Sequence, residues 1–138
     1  MTLLVPQGGA IPLPRPRVPS QPFWDGLARG ALLFQRCEEC GGSTHTPATV
    51  CAHCGSPRLA WVPSSGRGTV YSWTIVWRPQ TPAFTVPYVP IIVDMEEGWQ
   101  ILSNMVGCAH DEVYVGQAVE VEFHALSADI TLPYFRPR

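Results

Sequence analysis

The second half of the chain is patterned as strand. Over residues 69–77, Tyr71, Trp73, Ile75 and Trp77 alternate with Val70, Ser72, Thr74 and Val76. This is a period of two in aromatic and β-branched residues, which suits a pleated surface. Residues 78–87 contain Pro79, Pro82 and Pro87 and form a loop. Residues 88–95 make a second strand, in which Pro90 predicts an edge or a bulge. Glu96-Glu97-Gly98 turns the chain into a third strand over 99–106. A polar stretch with Asp111 and Glu112 accommodates a short turn of helix. Gly116-Gln117 then leads into a fourth strand at 119–126, and a fifth covers 130–135. Five short strands with one long break predict a small barrel of the OB type, although periodicity alone also allows another five-stranded barrel.

The first half is patterned differently. Residues 1–20 hold Pro6, Pro12, Pro14, Pro16 and Pro19, a composition that favours an extended tail or linker. A helix is expected over 21–30, with Ser20 as N-cap, Pro22 in the first turn and Gly30 as the stop. Phe23, Trp24, Leu27 and Ala31 fall on one face of it. That stripe either packs on its own domain or offers a partner surface. Short strands at 32–36 and 59–62 bracket a segment rich in cysteine. The chain thus divides into a tail at 1–20, a helix with a metal segment at 21–65, and a barrel at 66–138.

Within that segment the pattern Cys-x-x-Cys-Gly occurs twice, as Cys37, Cys40 and Gly41, then Cys51, Cys54 and Gly55. Each pair lets two sulfurs converge on one ion, and each glycine suits the tight knuckle. Four thiolates make a closed tetrahedral zinc site with no position left for substrate. Iron in a rubredoxin-like site is a chemical alternative, and a degenerate metal-free lobe is another. A redox pair is disfavoured, since no βαβ pattern surrounds the cysteines. Cys108 reads as a buried small hydrophobe. His45 and His53 flank a ligand set already complete, and His53 is expected to face solvent. His110 and His124 stand alone, and Glu120 and Glu122 read as a solvated face.

Composition narrows the function. The 138 residues are 46% hydrophobic and 14% charged, with no lysine. No apolar run approaches the ~20 residues of a membrane helix. The N-terminus lacks a basic, apolar leader pattern, so a cytoplasmic protein is expected. Five cysteines in that setting point to metal rather than disulfides. Residues 1–66 carry Arg15, Arg17, Arg29, Arg36 and Arg58 against Asp25, Glu38 and Glu39, a net +2. Residues 67–138 carry Arg67, Arg78, Arg136 and Arg138 against eight acids, a net −4. An acidic barrel is a poor partner for nucleic acid.

A set of ordered motifs carries a resemblance. Phe23-Trp24, the two knuckles with Pro47 between them, Gly66-Arg67-Gly68-Thr69-Val70, Asn104-Met105-Val106-Gly107, Gly116-Gln117 and Leu132-Pro133-Tyr134-Phe135-Arg136-Pro137 resemble one family over about residues 21–137. It is the acyl-CoA-associated family with an N-terminal helix, a rubredoxin-like zinc ribbon and a C-terminal OB-fold, long catalogued as a domain of unknown function. The resemblance implies one structural zinc per chain on Cys37, Cys40, Cys51 and Cys54, and no catalytic residues. It implies an accessory subunit of a thiolase or a lipid-transfer-protein-like aldolase acting on acyl-CoA thioesters, with steroid or cholesterol side-chain breakdown as the specific expectation. Some relatives are fused to, or work with, a hotdog-type enoyl-CoA hydratase, and residues 1–20 would suit such a linker. Phe23, Trp24, Leu27 and the loop at 78–87 are the candidate partner surface. A second reading is an acyl-CoA-binding module, with Arg67 or Arg78 on CoA phosphates and Tyr71, Trp73 and Trp77 receiving adenine or acyl groups. A third is a single-stranded nucleic-acid binder, disfavoured by the acidic barrel and the missing lysines.

Overall fold

A computed structural model describes residues 2–138. The helix α1 spans Gln21–Ala28, preceded by a 3₁₀ turn at Val18–Ser20. Strands β1 (Leu33–Cys37), β2 (Ser43–Thr44) and β3 (Leu59–Pro63) form a small antiparallel sheet in the order β2-β1-β3. Strands β4 (Arg67–Trp73), β5 (Pro90–Met95), β6 (Gln100–Asn104), β7 (Ala118–Ala125) and β8 (Thr131–Pro137) form a five-stranded sheet in the order β6-β5-β4-β7-β8. A second 3₁₀ turn, His110–Glu112, lies where a short turn of helix was expected. The large sheet curls until its edges meet. Met105 bridges Phe135 in parallel, and the Val106 N–H donates to the Phe135 carbonyl at 2.8 Å. This is the OB-type architecture that the strand pattern predicts.

Alternation fills the interior. On β5, Ile91, Val93 and Met95 are buried, and Val70, Ile101, Val119 and Phe135 meet them from the other strands. On β4 the inward residues are Gly68 and Val70, so Tyr71 faces out at 55% exposure, and Trp77, past the end of the strand, is 58% exposed. The strand is also shorter than its pattern suggests. A bulge between Val70 and Ser72 shifts the register, and pairing with β5 stops at Trp73 opposite Ile91. The cause is Pro90. Its carbonyl accepts from the Thr74 N–H, and with no N–H of its own it cannot continue the ladder on that side. Beyond it only Val76 and Tyr88 pair. Pro90 therefore marks the first residue of an interior strand rather than an edge.

Two expectations for the N-terminal region change. Ser20 precedes α1 but does not cap it. Its Oγ turns back to the Arg17 carbonyl at 3.1 Å, because Ser20 closes the preceding 3₁₀ turn. Nor does the proline-rich segment begin as a free tail. Leu4 exchanges backbone bonds with Cys108 and Gly107, at 2.7 and 2.9 Å. The buried Gln7 receives the Thr85 N–H at 2.8 Å and donates to the Thr85 carbonyl, while its backbone N–H reaches the Tyr134 hydroxyl at 3.0 Å. Five prolines remove backbone donors along this segment, and the side-chain amide of Gln7 adds to the anchoring.

The two sheets share one core. Trp99 leads into β6, and its ring stacks on Phe34 of β1 at 5.2 Å and an interplanar angle of 16°. His45, just past β2, lies 4.9 Å from the same indole and 5.5 Å from Phe23 of α1. Glu97 fastens the seam from the outside. Its carboxylate accepts from the Ser64 hydroxyl at 2.8 Å, the Ser65 N–H at 2.6 Å and the Trp99 indole N–H at 3.1 Å, and its carbonyl accepts from the Ser43 hydroxyl. Burial alone would raise the Glu97 pKa, but the Ser65, Ser64 and Trp99 donors outweigh it and hold the carboxyl below its ordinary 4.5. Its contribution is therefore complete above that ordinary value and is lost as the pH falls through the lower folded pKa.

Two substitutions test the seam by chemical denaturation. Trp99→Ala should cost about 3–5 kcal/mol, the range for removing a buried aromatic. Glu97→Gln should cost about 1–3 kcal/mol at neutral pH, and its difference from the parent should shrink at acid pH.

Candidate metal centre and partner surface

The two knuckles repeat the same backbone construction. In the first, the Cys37 N–H donates to the Gly42 carbonyl at 2.8 Å and the Gly41 N–H to the Cys37 carbonyl at 3.0 Å. In the second, the Cys51 N–H donates to the Ser56 carbonyl at 2.8 Å and the Gly55 N–H to the Cys51 carbonyl at 3.0 Å. Both turns close through a left-handed glycine, Gly41 at φ 75° and Gly55 at φ 78°, where a Cβ would be strained. Neighbouring amides then point at the sulfurs: Cys40 at Cys37 Sγ, Gly42 at Cys40 Sγ, and His53 at Cys51 Sγ, all within 3.4 Å.

The four sulfurs lie within 4.8 Å of one another, with Cys37–Cys54 and Cys40–Cys51 both at 3.6 Å. Tetrahedral thiolate ligation at a metal–sulfur distance near 2.3 Å requires sulfurs about 3.8 Å apart, so the set fits an ion at its centre. The electrostatics suit one. The Cys40 N–H lowers the Cys37 pKa, and the Cys54 and His53 N–H groups bring Cys51 down to about 6. Cys54 is pushed up to about 12 despite the Ser56 N–H, because Cys37 and the other sulfurs crowd it. Without a cation the cluster cannot carry four thiolates, and with one it can. Cys37 and Cys51 are buried while Cys40 and Cys54 are exposed. The closed set leaves no open position for a substrate.

Secondary contacts hold the knuckles to the ribbon. The exposed His53 does face solvent, yet its Nε2 lies 2.9 Å from the Ser43 carbonyl, and the Ala52 N–H donates to Thr44 Oγ1. Arg58 spans Glu38 and Glu39 at 3.3 and 3.5 Å, exposed pairs of small energetic weight. His45 is not a ligand. Burial against Trp99 and Phe23 lowers its pKa to about 4, so it stays neutral near pH 7.

The remaining candidates separate. Phe23 and Leu27 are 7% and 1% exposed and belong to the core, because the helix lays that stripe on β1 and the barrel. Neither offers a surface, and only Trp24 stays half-buried at the rim. Arg67 opens β4, while Trp77 and Arg78 lie past its far end, so the fold does not gather them around one ligand. All three are exposed. Trp77 instead packs edge-on to His110 at 5.1 Å. The Gly116 N–H bonds the Val70 carbonyl and the Val70 N–H bonds the Gln117 carbonyl, which lays the turn that carries the exposed Tyr114 and Val115 alongside β4. The exposed aromatics thus flank β4 and the loops next to it, an arrangement that strand alternation hinted at only for β4.

The ChsH2 rubredoxin-like zinc ribbon model matches residues 24–60, and the ChsH2 C-terminal OB-fold model matches residues 61–124. The solved chain described as "Ltp2-ChsH2(DUF35) aldolase" superposes with a TM-score of 0.83 at 34% identity, covering 91% of this chain and 98% of that one. The chain belongs to the DUF35 family. A DUF35 domain-containing scaffold protein of Methanocaldococcus jannaschii is 31% identical over 73% of both chains. A probable enoyl-CoA hydratase alpha subunit of Thermomonospora curvata is 36% identical over 90% of this chain, and the 3-oxo-4,17-pregnadiene-20-carboxyl-CoA hydratase alpha subunit of Mycobacterium tuberculosis is 35% identical over 73%. The chain spans only 40% and 32% of the length of those two hydratase subunits. Among the described residues, no helix is long and apolar enough to cross a membrane.

Cys37→Ser or Cys51→Ser should abolish metal binding and unfold the ribbon, lowering the melting temperature sharply. Cys108→Ser should leave the metal content unchanged. Elemental analysis and thermal melts of the three variants check this.

Proposed function

We propose that this chain is a non-catalytic accessory domain that docks on a thiolase-superfamily enzyme, a thiolase or a retro-aldolase, acting on acyl-CoA thioesters. The observation that carries the reading is the likeness, across nearly the whole chain, to the chain of an aldolase complex. The name of the mycobacterial relative supports a steroid side-chain substrate, and that of the "Benzoylsuccinyl-CoA thiolase subunit BbsA" of Geobacter metallireducens supports a thiolase-type partner. A hotdog-type hydratase is the second partner, in line with the hydratase subunits. The metal is one structural zinc per chain, which stabilises a lobe too small to bury a core of its own.

Physical features fit this role. The metal site is closed, and the four histidines assemble into no acid–base pair with a nucleophile among the described residues. Tyr71, Trp73, Trp77 and Tyr114 remain exposed, and the exposed Arg78 follows Trp77 in the chain. Partner interfaces concentrate such aromatic and arginine side chains, so this surface replaces Phe23 and Leu27 as the docking face. Trp24 remains a rim contact.

Affinity-tagged chain should carry one zinc by elemental analysis and should retain a co-expressed thiolase-like protein from its own genome. Trp77→Ala with Trp73→Ala should weaken that complex at least about tenfold, a hot-spot loss. A chain that stays alone beside a fully soluble, fully active enzyme would sink the proposal.

A further inference from the structure

The metal centre is closed to substrates, but its own sulfurs are not equally protected. Cys37 and Cys51 are buried, and each accepts two backbone N–H groups, from Glu39 and Cys40 and from His53 and Cys54 respectively. Cys40 and Cys54 are exposed, and each accepts one, from Gly42 and from Ser56. Amide donors draw charge from a thiolate and lower its nucleophilicity. The exposed pair is therefore also the more electron-rich pair.

A second asymmetry separates the two exposed sulfurs. The knuckles correspond residue by residue, with Glu39 in the place of His53 and Gly42 in the place of Ser56. The His53 ring lies over Gly42, where a Cβ would stand 2.5 Å from His53 Cδ2 and 3.2 Å from Cys40 Sγ. Its Nε2 is held 2.9 Å from the Ser43 carbonyl. The imidazole thus screens the Cys40 sulfur. In the other knuckle Glu39 turns to Arg58 at 3.5 Å, and the Ser56 hydroxyl accepts the Arg58 N–H at 3.1 Å. Cys54 gains no aromatic screen from that position. Across the knuckles, its sulfur lies 3.6 Å from that of Cys37.

We propose that Cys54 is an oxidation site and Cys37 its resolving partner, so that a hydroperoxide unlatches the metal centre. The Cys54 thiolate attacks the terminal oxygen of the hydroperoxide. An S–O bond forms, the O–O bond breaks and the alkoxide or hydroxide leaves, so the sulfur is oxidised to a sulfenic acid and the peroxide is reduced. The Cys37 thiolate then attacks the Cys54 sulfur, the S–S bond forms and hydroxide departs. One peroxide is consumed per disulfide. Two of the four ligands are lost, one from each knuckle, and Cys40 and Cys51 alone do not close a site. Cys37 ends β1, and Phe34 of the same strand stacks on Trp99, so the change at the sulfurs reaches the seam. The inference goes beyond the docking role and is read on the chain alone, so either can fail without the other.

The experiment treats the zinc-loaded chain with hydrogen peroxide, beside glutathione as a free-thiol control. The bound zinc should be released, read with a chromogenic chelator. Disulfide mapping by mass spectrometry should find Cys37–Cys54 as the first bond, with Cys108 still reduced. Dithiothreitol with added zinc should restore the metal. N-ethylmaleimide should label Cys54 of the zinc-loaded chain at least about threefold faster than Cys40. His53→Ala should remove that difference by accelerating Cys40 alone, with zinc content before treatment equal to the parent's. The labelling order in the parent does not depend on that variant. Zinc retained on four reduced ligands after peroxide has consumed the glutathione overturns the inference. So does a first disulfide other than Cys37–Cys54, or Cys40 labelled as fast as Cys54 in the parent chain.

Discussion

Trp99 stands at the head of β6 with Phe34 stacked upon it and His45 tilted against it. Phe34 belongs to the ribbon, His45 to the loop after β2, and Phe23, which touches His45, to the helix. One indole thus gathers all three structural parts. Aromatic side chains suit the task because each buries a large apolar area while locking few rotatable bonds. The indole N–H needs a partner at this depth, and Glu97 supplies it while also fastening Ser64 and Ser65. Without this seam the ribbon would be a small lobe on a tether. With it, ribbon and barrel share a single core.

The metal cluster and the seam are two ends of one lever. β1 runs from Leu33 and Phe34, in the core, to Cys37, a ligand. β2 runs from the first knuckle to Thr44, beside His45. An ion that fixes the knuckles therefore also fixes which aromatic faces reach Trp99. A closed thiolate site offers no chemistry to a substrate, but it can hold the chain in one shape. The exposed aromatics on and beside β4 are presented by this rigid body, on elements whose geometry the core sets.

How much of this the sequence disclosed depended on range. The knuckles were legible because their chemistry is local: two cysteines, a fixed gap and a glycine that must turn left-handed. The barrel strands were legible wherever one face is buried, as with Ile91, Val93 and Met95. Local reasoning failed where a distant partner decided the outcome. Proline content marked residues 1–20 as a linker, yet Gln7 reaches Thr85, 78 residues away. Glu97 read as a turn residue, since its partners Ser64 and Ser65 lie more than thirty residues away, in the connection between β3 and β4. Phe23 and Leu27 sat on a correct helical stripe, but periodicity says only that a stripe is covered, not by what. The alternation of 69–77 is kept in burial only as far as Tyr71, where the bulge breaks it, and Pro90 on the facing strand then ends the pairing. Arg67 was grouped with Trp77 and Arg78 because they are near in sequence, whereas an extended strand separates Arg67 from the other two.

The central claim is that metal ligation organises the ribbon and barrel as one unit through the Trp99 seam. Amide hydrogen–deuterium exchange on the zinc-loaded and chelator-treated chain tests it most directly. Protection should fall together in both knuckles, in β1, in α1 and in residues 97–101 of the barrel, while the β7–β8 pair keeps its protection. Loss confined to residues 37–56, with Trp99 and α1 unaffected, would contradict the account.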